Sequence, residues 1–302
     1  MRLIDAEGLD ARLLLQQQRE EELRDQEDWY WNLGIYSDES VVAGHSPGRI
    51  IRNSEGQTVI LEGYEVFLYD TALQLLAIKK NDPVLMLDIG GGVGGTFNHL
   101  AVALRDQIED SRLAIIVSNI NASQDEQIGV FDAHRESSTD KKLLIRQSLT
   151  DLDAAQGLVH HVTGNFRSLR TQSITLPNGQ NVKLERNIDV AHERHSLTPQ
   201  TFTPELDIPE IGHLLSPYGI YSVPSNNVEN LYTVVPKGVV LGEAAMGDQI
   251  TQRKSGILVA HRSLVTDFGL QRVPTVEAGT HQGKPMNTVI YKGHSAPSIR
   301  LT

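Results

Sequence analysis

The sequence predicts an α/β protein built on a doubly wound, Rossmann-like sheet, and two observations carry this prediction. An apolar run from Val84 to Leu87 leads into Asp88, a glycine-rich turn and a helical pattern from Phe97 to Leu104. After this unit, strand-like and helical runs continue to alternate along the chain. Such alternation is typical of parallel sheets that carry helices on both faces.

The composition agrees with a globular protein and excludes several classes of site. The chain has 302 residues, 39% of them hydrophobic, and no cysteine, which excludes disulfides, thiolate metal sites and a cysteine nucleophile. It lacks both a secretory leader and a run of roughly 18 apolar residues, so we expect a cytoplasmic protein without a membrane partner. The net charge of −11 opposes binding to phosphate backbones. We therefore expect a small-molecule substrate rather than nucleic acid.

The order of the predicted elements fits a doubly wound sheet. Apolar runs predict further strands at 113–117, 158–163 and 188–191. Residues 124–156 are predicted to be mostly helical, and a Pro-Asn-Gly turn predicts a surface hairpin within 174–184.

The first 80 residues are predicted to form a helical N-terminal cap, separate from a main domain at 81–302. Residues 3–33 are rich in Leu, Gln, Glu and Arg, and 72–80 also have a helical pattern. We expect Trp29 and Trp31 to anchor this cap to the main domain. A homodimer formed through the N-terminal helices is a further expectation.

The turn that follows Asp88 carries the strongest functional signal of the chain. Five glycines stand among the six residues Gly90–Gly95. Glycine tolerates positive φ, and because it has no Cβ a ligand can lie directly on the main chain. The helix behind the turn offers free N–H groups and the positive end of its dipole. These features predict a binding site for a nucleotide-like ligand.

Two ligand templates fit the spacing of this turn. Gly90, Gly92 and Gly95 satisfy G-x-G-x-x-G, the dinucleotide fingerprint. Asp88 with Gly90, Gly92 and Gly94 satisfies D-x-G-x-G-x-G, which resembles the first motif of class I S-adenosylmethionine-dependent methyltransferases.

Later segments extend this resemblance. Residues 211–225 read as a helix end, a Pro-Tyr-Gly turn and a strand, and 268–276 with 286–292 look like the closing antiparallel pair of that family. The resemblance covers roughly residues 81–293. It implies a seven-stranded Rossmann-like methyltransferase sheet, S-adenosylmethionine as the cofactor and methyl transfer to a small-molecule acceptor.

The resemblance also assigns cofactor-binding positions. These are Asp88, Gly90, Gly91, Gly92, Gly94, Asn119, Asn121, Asn165 and Phe166. Asn119 and Asn121 follow the second strand, where the family usually has an acid that binds ribose hydroxyls. An amide can bond a hydroxyl too, but without the charge-assisted strength of a carboxylate. Asn165 and Phe166 are expected at the adenine edge.

The resemblance places the reacting groups at the end of the fourth strand, where two histidines stand. His195 is the first candidate for a base that takes a proton from the acceptor, and His192 is the second. His213 is held in reserve. A metal site built on the two histidines with Glu193 has no recognised third-ligand spacing, so no metal is predicted.

Three alternatives stay open at this point. The fold could serve ligand binding or another reaction, because the acid expected at Asn119 and Asn121 is missing. The glycine run also looks like the loop of aminopropyltransferases of the spermidine-synthase type, although these usually have an acid at the position of Val93. The dinucleotide fingerprint would suit an oxidoreductase that uses NAD(P) or a flavin.

Overall fold

The computed structural model describes residues 13–14, 49–61, 64–91, 95–119, 154–163, 166–193, 201, 203–224, 256–281 and 284–297. The strands are β1 (Arg49–Arg52), β2 (Thr58–Leu61), β3 (Val84–Ile89), β4 (Leu113–Asn119), β5 (Val159–Thr163), β6 (Ser173–Thr175), β7 (Asn181–Lys183), β8 (Ile188–Glu193), β9 (Leu215–Pro224), β10 (Gln271–His281) and β11 (Lys284–Lys292). The helices are α1 (Tyr64–Lys79), α2 (Gly95–Ala103), α3 (Arg105–Glu109), α4 (Pro204–Leu214) and α5 (256–266), with a 3-10 helix at Phe166–Thr171.

A seven-stranded sheet in the order β10-β11-β9-β8-β3-β4-β5 forms the centre of the fold. The five strands from β9 to β5 run parallel, whereas β11 is antiparallel to both of its neighbours. The chain starts in the middle at β3, moves outward through β4 and β5, and then returns to β8 on the other side of β3. This topology confirms the predicted doubly wound, seven-stranded sheet.

The sheet is covered on both faces, and this explains why its central strands β3 and β4 are apolar except near their carboxyl ends. Every residue of β3 and β4 is buried. On one face, Leu68 of α1 and Leu100 of α2 pack with Met86. On the other face, helices α4 and α5 pack with Leu87. Side chains at alternate positions of one strand therefore enter different cores.

The N-terminal part contains strands in addition to the helices predicted for a cap at 1–80. Residues 49–61 form a β-hairpin, with Ile50 paired to Ile60. Helix α1 begins at Tyr64, eight residues before the predicted start at 72, because Leu68 is also part of its buried face. Of residues 1–48, only 13–14 are described, so Trp29 and Trp31 lie outside the described residues. The division at residue 80 stays a prediction.

The Pro-Tyr-Gly segment, predicted as a turn between a helix end and a strand, lies within β9. Helix α4 runs directly into β9, and residues 216–219 form a wide bulge within that strand. Ile188 pairs with Leu215 but Val190 pairs with Ile220, so four residues of β9 face a single residue of β8. Pro217 has no N–H for a sheet bond, so a bulge accommodates it.

Two buried histidines predict an acid-sensitive fold. Burial lowers the pKa of His261, on α5, from 6.5 to about 3. Burial and the nearby His160 lower the pKa of His161, on β5, from 6.5 to about 4. Both side chains stay neutral in the folded protein, whereas the unfolded chain takes up protons below about pH 6.5. The free energy of unfolding should therefore fall with decreasing pH, by at most about 1.4 kcal/mol per unit for fully buried His261 and less for His161.

Urea unfolding at about pH 7 and about pH 5 measures this dependence. His261→Phe fills a site between the rings of Tyr221 and Tyr291, and it should give a shallower decline than the native chain. An equal decline in both proteins would show that His261 is not a source of the effect.

Candidate functional site

Polar side chains end three neighbouring parallel strands of the sheet. Asp88 stands near the end of β3, Asn119 ends β4 and Glu193 ends β8. Parallel strands end at the same edge, so these residues share the carboxyl edge of the sheet. The helices that follow β3 and β8 pack on opposite faces of the sheet, so the strand order reverses here, at the point where ligands bind to doubly wound sheets.

The first two glycines of the turn lie against β4 and the Asp88 carboxylate. Gly90 has a φ of 67°, a left-handed conformation that favours glycine, and its N–H donates to the Ser118 carbonyl at 2.9 Å. A Cβ added to Gly91 would lie 2.2 Å from Asp88 Oδ2, so any side chain at this position would displace the carboxylate. Gly92 and Gly94 lie outside the described residues, and α2 begins at Gly95.

Asp88, His192 and Ser222 stand level with one another on three adjacent strands. In the sheet register, Asp88 of β3 is beside His192 of β8, and His192 is beside Ser222 of β9. Nδ1 of His192 lies 2.7 Å from Ser222 Oγ. The ring of Phe97, on α2, stacks near that of His192 with a centroid distance of 6.3 Å. The His192 side chain is therefore fixed by Ser222 of the sheet and by Phe97 of the helix that follows the glycine turn.

The predicted ribose and adenine positions are described only in part. Asn119 is buried and pairs in register with Thr163 of β5, and its amide offers both a donor and an acceptor. Asn121 and Asn165 lie outside the described residues. Phe166 packs into the core with Leu169, and its contact with adenine stays a prediction.

The three histidines predicted as candidate bases differ in where the structure places them. His192 lies at the carboxyl edge as predicted, while His195 lies outside the described residues. The reserve candidate His213 is wrong. It ends α4, its carbonyl accepts from Arg186 N just before β8, and its ring contacts Phe268. This is the amino edge, at the far end of the parallel strands.

Two further clusters near the carboxyl edge were not predicted from sequence. His99 Nδ1 of α2 lies 2.7 Å from Glu65 Oε1 in the first turn of α1. Near the start of α4, Arg167 Nε donates to Asp207 Oδ1 at 2.6 Å and the Thr203 hydroxyl donates to Asp207 Oδ2 at 2.9 Å. The His99–Glu65 and Arg167–Asp207 contacts join residues that are far apart in the sequence, and the Thr203–Asp207 contact depends on where α4 begins. No local sequence motif therefore predicts them.

Two searches of the described residues give negative results. They contain no group of three His, Cys, Asp or Glu side chains that could hold a metal ion. Among the helices of these same ranges, none combines the length and the apolar character that crossing a bilayer requires.

Comparison with known proteins gives similarities in structure only. No family model matches the chain. No curated protein matches it either. Among solved structures, DszA carbon methyltransferase has 12% identity and a TM-score of 0.40, with 78% of this chain and 55% of that chain covered. The chain thus spans little more than half the length of that enzyme.

Two other structures cover most of their own length. The SAH-bound methyltransferase PaMTH1 of Podospora anserina has 12% identity and a TM-score of 0.36, over 75% of this chain and 77% of that chain. Aeropyrum pernix fibrillarin, with natively bound S-adenosyl-L-methionine, has 13% identity and a TM-score of 0.36, over 83% and 86%.

The strand order of the chain itself defines its fold. Five parallel strands extend in both directions from β3, and an antiparallel β11 is inserted between β9 and β10. With the glycine turn placed directly after the central strand, this chain has the predicted doubly wound, Rossmann-like fold.

Proposed function

We propose that the chain is an S-adenosylmethionine-dependent methyltransferase that acts on a small-molecule acceptor. The observation that carries this proposal is Asp88, a buried carboxylate that packs against Gly91 at the switch point of the sheet. The class I topology around that carboxylate supports the same choice of cofactor.

The residues at the carboxyl edge fit this cofactor. Asp88 offers a carboxylate for the ammonium group of the amino-acid part, which is a charge-assisted contact. Gly90 and Gly91 leave the main chain bare beside it, and Gly91 has no room for a Cβ. Asn119 offers an amide for a ribose hydroxyl. When bound, S-adenosylmethionine supplies an electrophilic methyl group on a sulfonium.

The protein's part in methyl transfer is to orient the acceptor and, where the acceptor carries a proton, to remove it. His195, two residues past the end of β8, is the proposed base, and His192 on β8 is the second candidate. A small acceptor agrees with the net charge of −11, which disfavours nucleic acid.

One observation favours a second candidate function. The second strand ends in Asn119 rather than in an acid, which weakens the expected hold on the ribose. The same fold could then bind its ligand without methyl transfer or serve a related transfer such as aminopropyl transfer. Consumption of the cofactor in the presence of acceptors would separate the two functions.

Titration calorimetry of the full chain tests the cofactor. We expect S-adenosylmethionine and S-adenosylhomocysteine to bind, and NAD(P) not to bind. No heat of binding from either sulfur ligand at about 1 mM would contradict the proposal. NAD(P) binding alone would instead support an oxidoreductase.

Gly91→Ala should weaken S-adenosylhomocysteine binding by at least about tenfold, because the new methyl group would push the Asp88 carboxylate out of place. Calorimetry measures the loss. Gly179→Ala is the control for a glycine substitution away from the site. A Cβ there meets nothing within 4 Å, and the strain that its φ of 85° imposes on alanine stays in the β6–β7 turn. Equal affinities in the Gly91 variant and the control would contradict the prediction.

A further inference from the structure

The hydrogen bond between His192 and Ser222 determines what the imidazole can do. Both side chains are buried, at 3% and 0% exposure. They sit in register on adjacent parallel strands, and Nδ1 lies 2.7 Å from Oγ. The geometry leaves open which atom donates, because a hydroxyl and an imidazole nitrogen can each be donor or acceptor.

The surroundings of Ser222 decide the direction of this bond. Within the part of the chain that the structure describes, His192 Nδ1 is the acceptor that the Ser222 hydroxyl reaches. If Nδ1 of His192 carried a proton, it could not accept a hydrogen bond, and the buried hydroxyl hydrogen of Ser222 would lose this acceptor. A buried donor without an acceptor is costly, whereas a hydroxyl oxygen has lone pairs to spare. The hydroxyl therefore donates to Nδ1, and a neutral imidazole that accepts at Nδ1 carries its own proton on Nε2.

We propose that Ser222 is a positioning residue that holds His192 as the neutral, Nε2-protonated tautomer, so that His192 donates a hydrogen bond to the carboxylate of an amino-acid ligand. In this form Nε2 has no lone pair with which to take a proton. The role of base then belongs to His195, and His192 recognises the ligand. The ligand part of this inference rests on the proposed cofactor.

The neighbour of His192 on the other side points to the chemical class of this ligand. Asp88 lies one strand away at the same level, a separation of about 4.8 Å between strands. Both side chains have contacts within the protein, and their register places a carboxylate acceptor beside a neutral N–H donor. An α-amino acid carries the complementary groups, an ammonium and a carboxylate on one carbon. Asp88 and His192 together therefore match the zwitterionic end of S-adenosylmethionine.

The tautomer can be measured without any ligand. In a long-range nitrogen–proton correlation spectrum of the full chain with labelled histidine, His192 should show a pyridine-type Nδ1 and a pyrrole-type Nε2 near neutral pH. The His192→Gln spectrum assigns the signals. Ser222→Ala should shift the Nδ1 signal, because the lone pair of Nδ1 loses the hydroxyl bond, and Ser222→Thr should restore the native pattern. Ser118→Ala is the matched control, because that buried hydroxyl bonds the Asp88 carbonyl instead. A protonated Nδ1 in the native chain, or an unchanged pattern in Ser222→Ala, would overturn the assignment.

Two ligands test the recognised group. S-adenosylhomocysteine has the amino-acid end, whereas methylthioadenosine has the same nucleoside without it. His192→Phe keeps a ring beside Phe97 but removes the donor, and it should weaken S-adenosylhomocysteine binding about 5- to 10-fold while leaving methylthioadenosine unchanged. An equal loss for both ligands would overturn the contact. Absence of S-adenosylhomocysteine binding to the native chain would instead overturn the cofactor proposal, and the spectrum would still decide the tautomer.

Turnover gives a third readout. If His192 is a hydrogen-bond donor, Ser222→Ala lowers kcat/KM. The acid limb of the pH profile of kcat/KM should not move, because that limb reports the pKa of a different residue, the base. A shift of the limb in Ser222→Ala would identify His192 as the base and overturn the inference.

Discussion

Replacement of Asp88 by asparagine is expected to weaken S-adenosylmethionine binding by about 10- to 100-fold, because a charge-assisted hydrogen bond contributes about 1.5–3 kcal/mol. The substitution keeps the size of the side chain and removes its charge. The main chain at Gly91 packs against this carboxyl group, so the nearly isosteric asparagine should leave the turn in place. Titration calorimetry measures the change in affinity, and the thermal midpoint reports the fold.

Asp106→Asn is the matched control for this experiment. Asp106 is an exposed carboxylate on α3 that accepts from the hydroxyl of Ser54, and its substitution removes the same charge away from the carboxyl edge. We expect its affinity to stay within about twofold of the native value. A native affinity in Asp88→Asn would show that the carboxylate does not hold the ligand.

Replacement of Asp189 by alanine is expected to lower the free energy of unfolding by about 3–5 kcal/mol. Its carboxylate accepts from Lys79 Nζ at 2.7 Å, from Leu85 N at 2.9 Å and from Ser216 Oγ at 2.6 Å. These contacts join α1, β3, β8 and β9 at the amino edge of the sheet. Burial raises the pKa of Asp189, against the opposing effect of Lys79. Removal of the carboxylate leaves a nearly buried ammonium and a buried N–H without this acceptor.

Urea unfolding measures this loss, and two comparisons identify its cause. Asp189→Ala combined with Lys79→Met should recover part of the stability, because the uncompensated charge is gone. Glu109→Ala breaks the exposed pair with Arg105 and should cost less than about 1 kcal/mol. A loss in Asp189→Ala as small as that in Glu109→Ala would contradict a structural role for the buried pair.

The central sheet could be predicted because its signals are local. Parallel strands buried on both faces are mostly apolar, and β3 and β4 are apolar up to Asp88 and Ser118. The hairpin β1–β2 could not be predicted in the same way. Its strands have four residues each, and Ile50 and Ile60 are exposed, so no alternation of polar and apolar residues marks its buried side.

The candidate site also combines a contact that the sequence suggests with one that it does not. Asp88 and Gly91 are three residues apart, so the sequence already suggests their contact. His192 and Ser222 are separated by thirty positions, and their register depends on the wide bulge at 216–219. The error at His213 has the same origin, because only the direction of α4 shows that its last turn lies at the amino edge.

A crystal structure of the full chain grown with S-adenosylhomocysteine tests the central claim most directly. We predict that the ligand lies at the carboxyl edge between β3 and β8, with its amino group on the Asp88 carboxylate, its carboxylate toward His192, and its sugar beside Asn119. A ligand bound away from Asp88 and the glycine turn would contradict the claim.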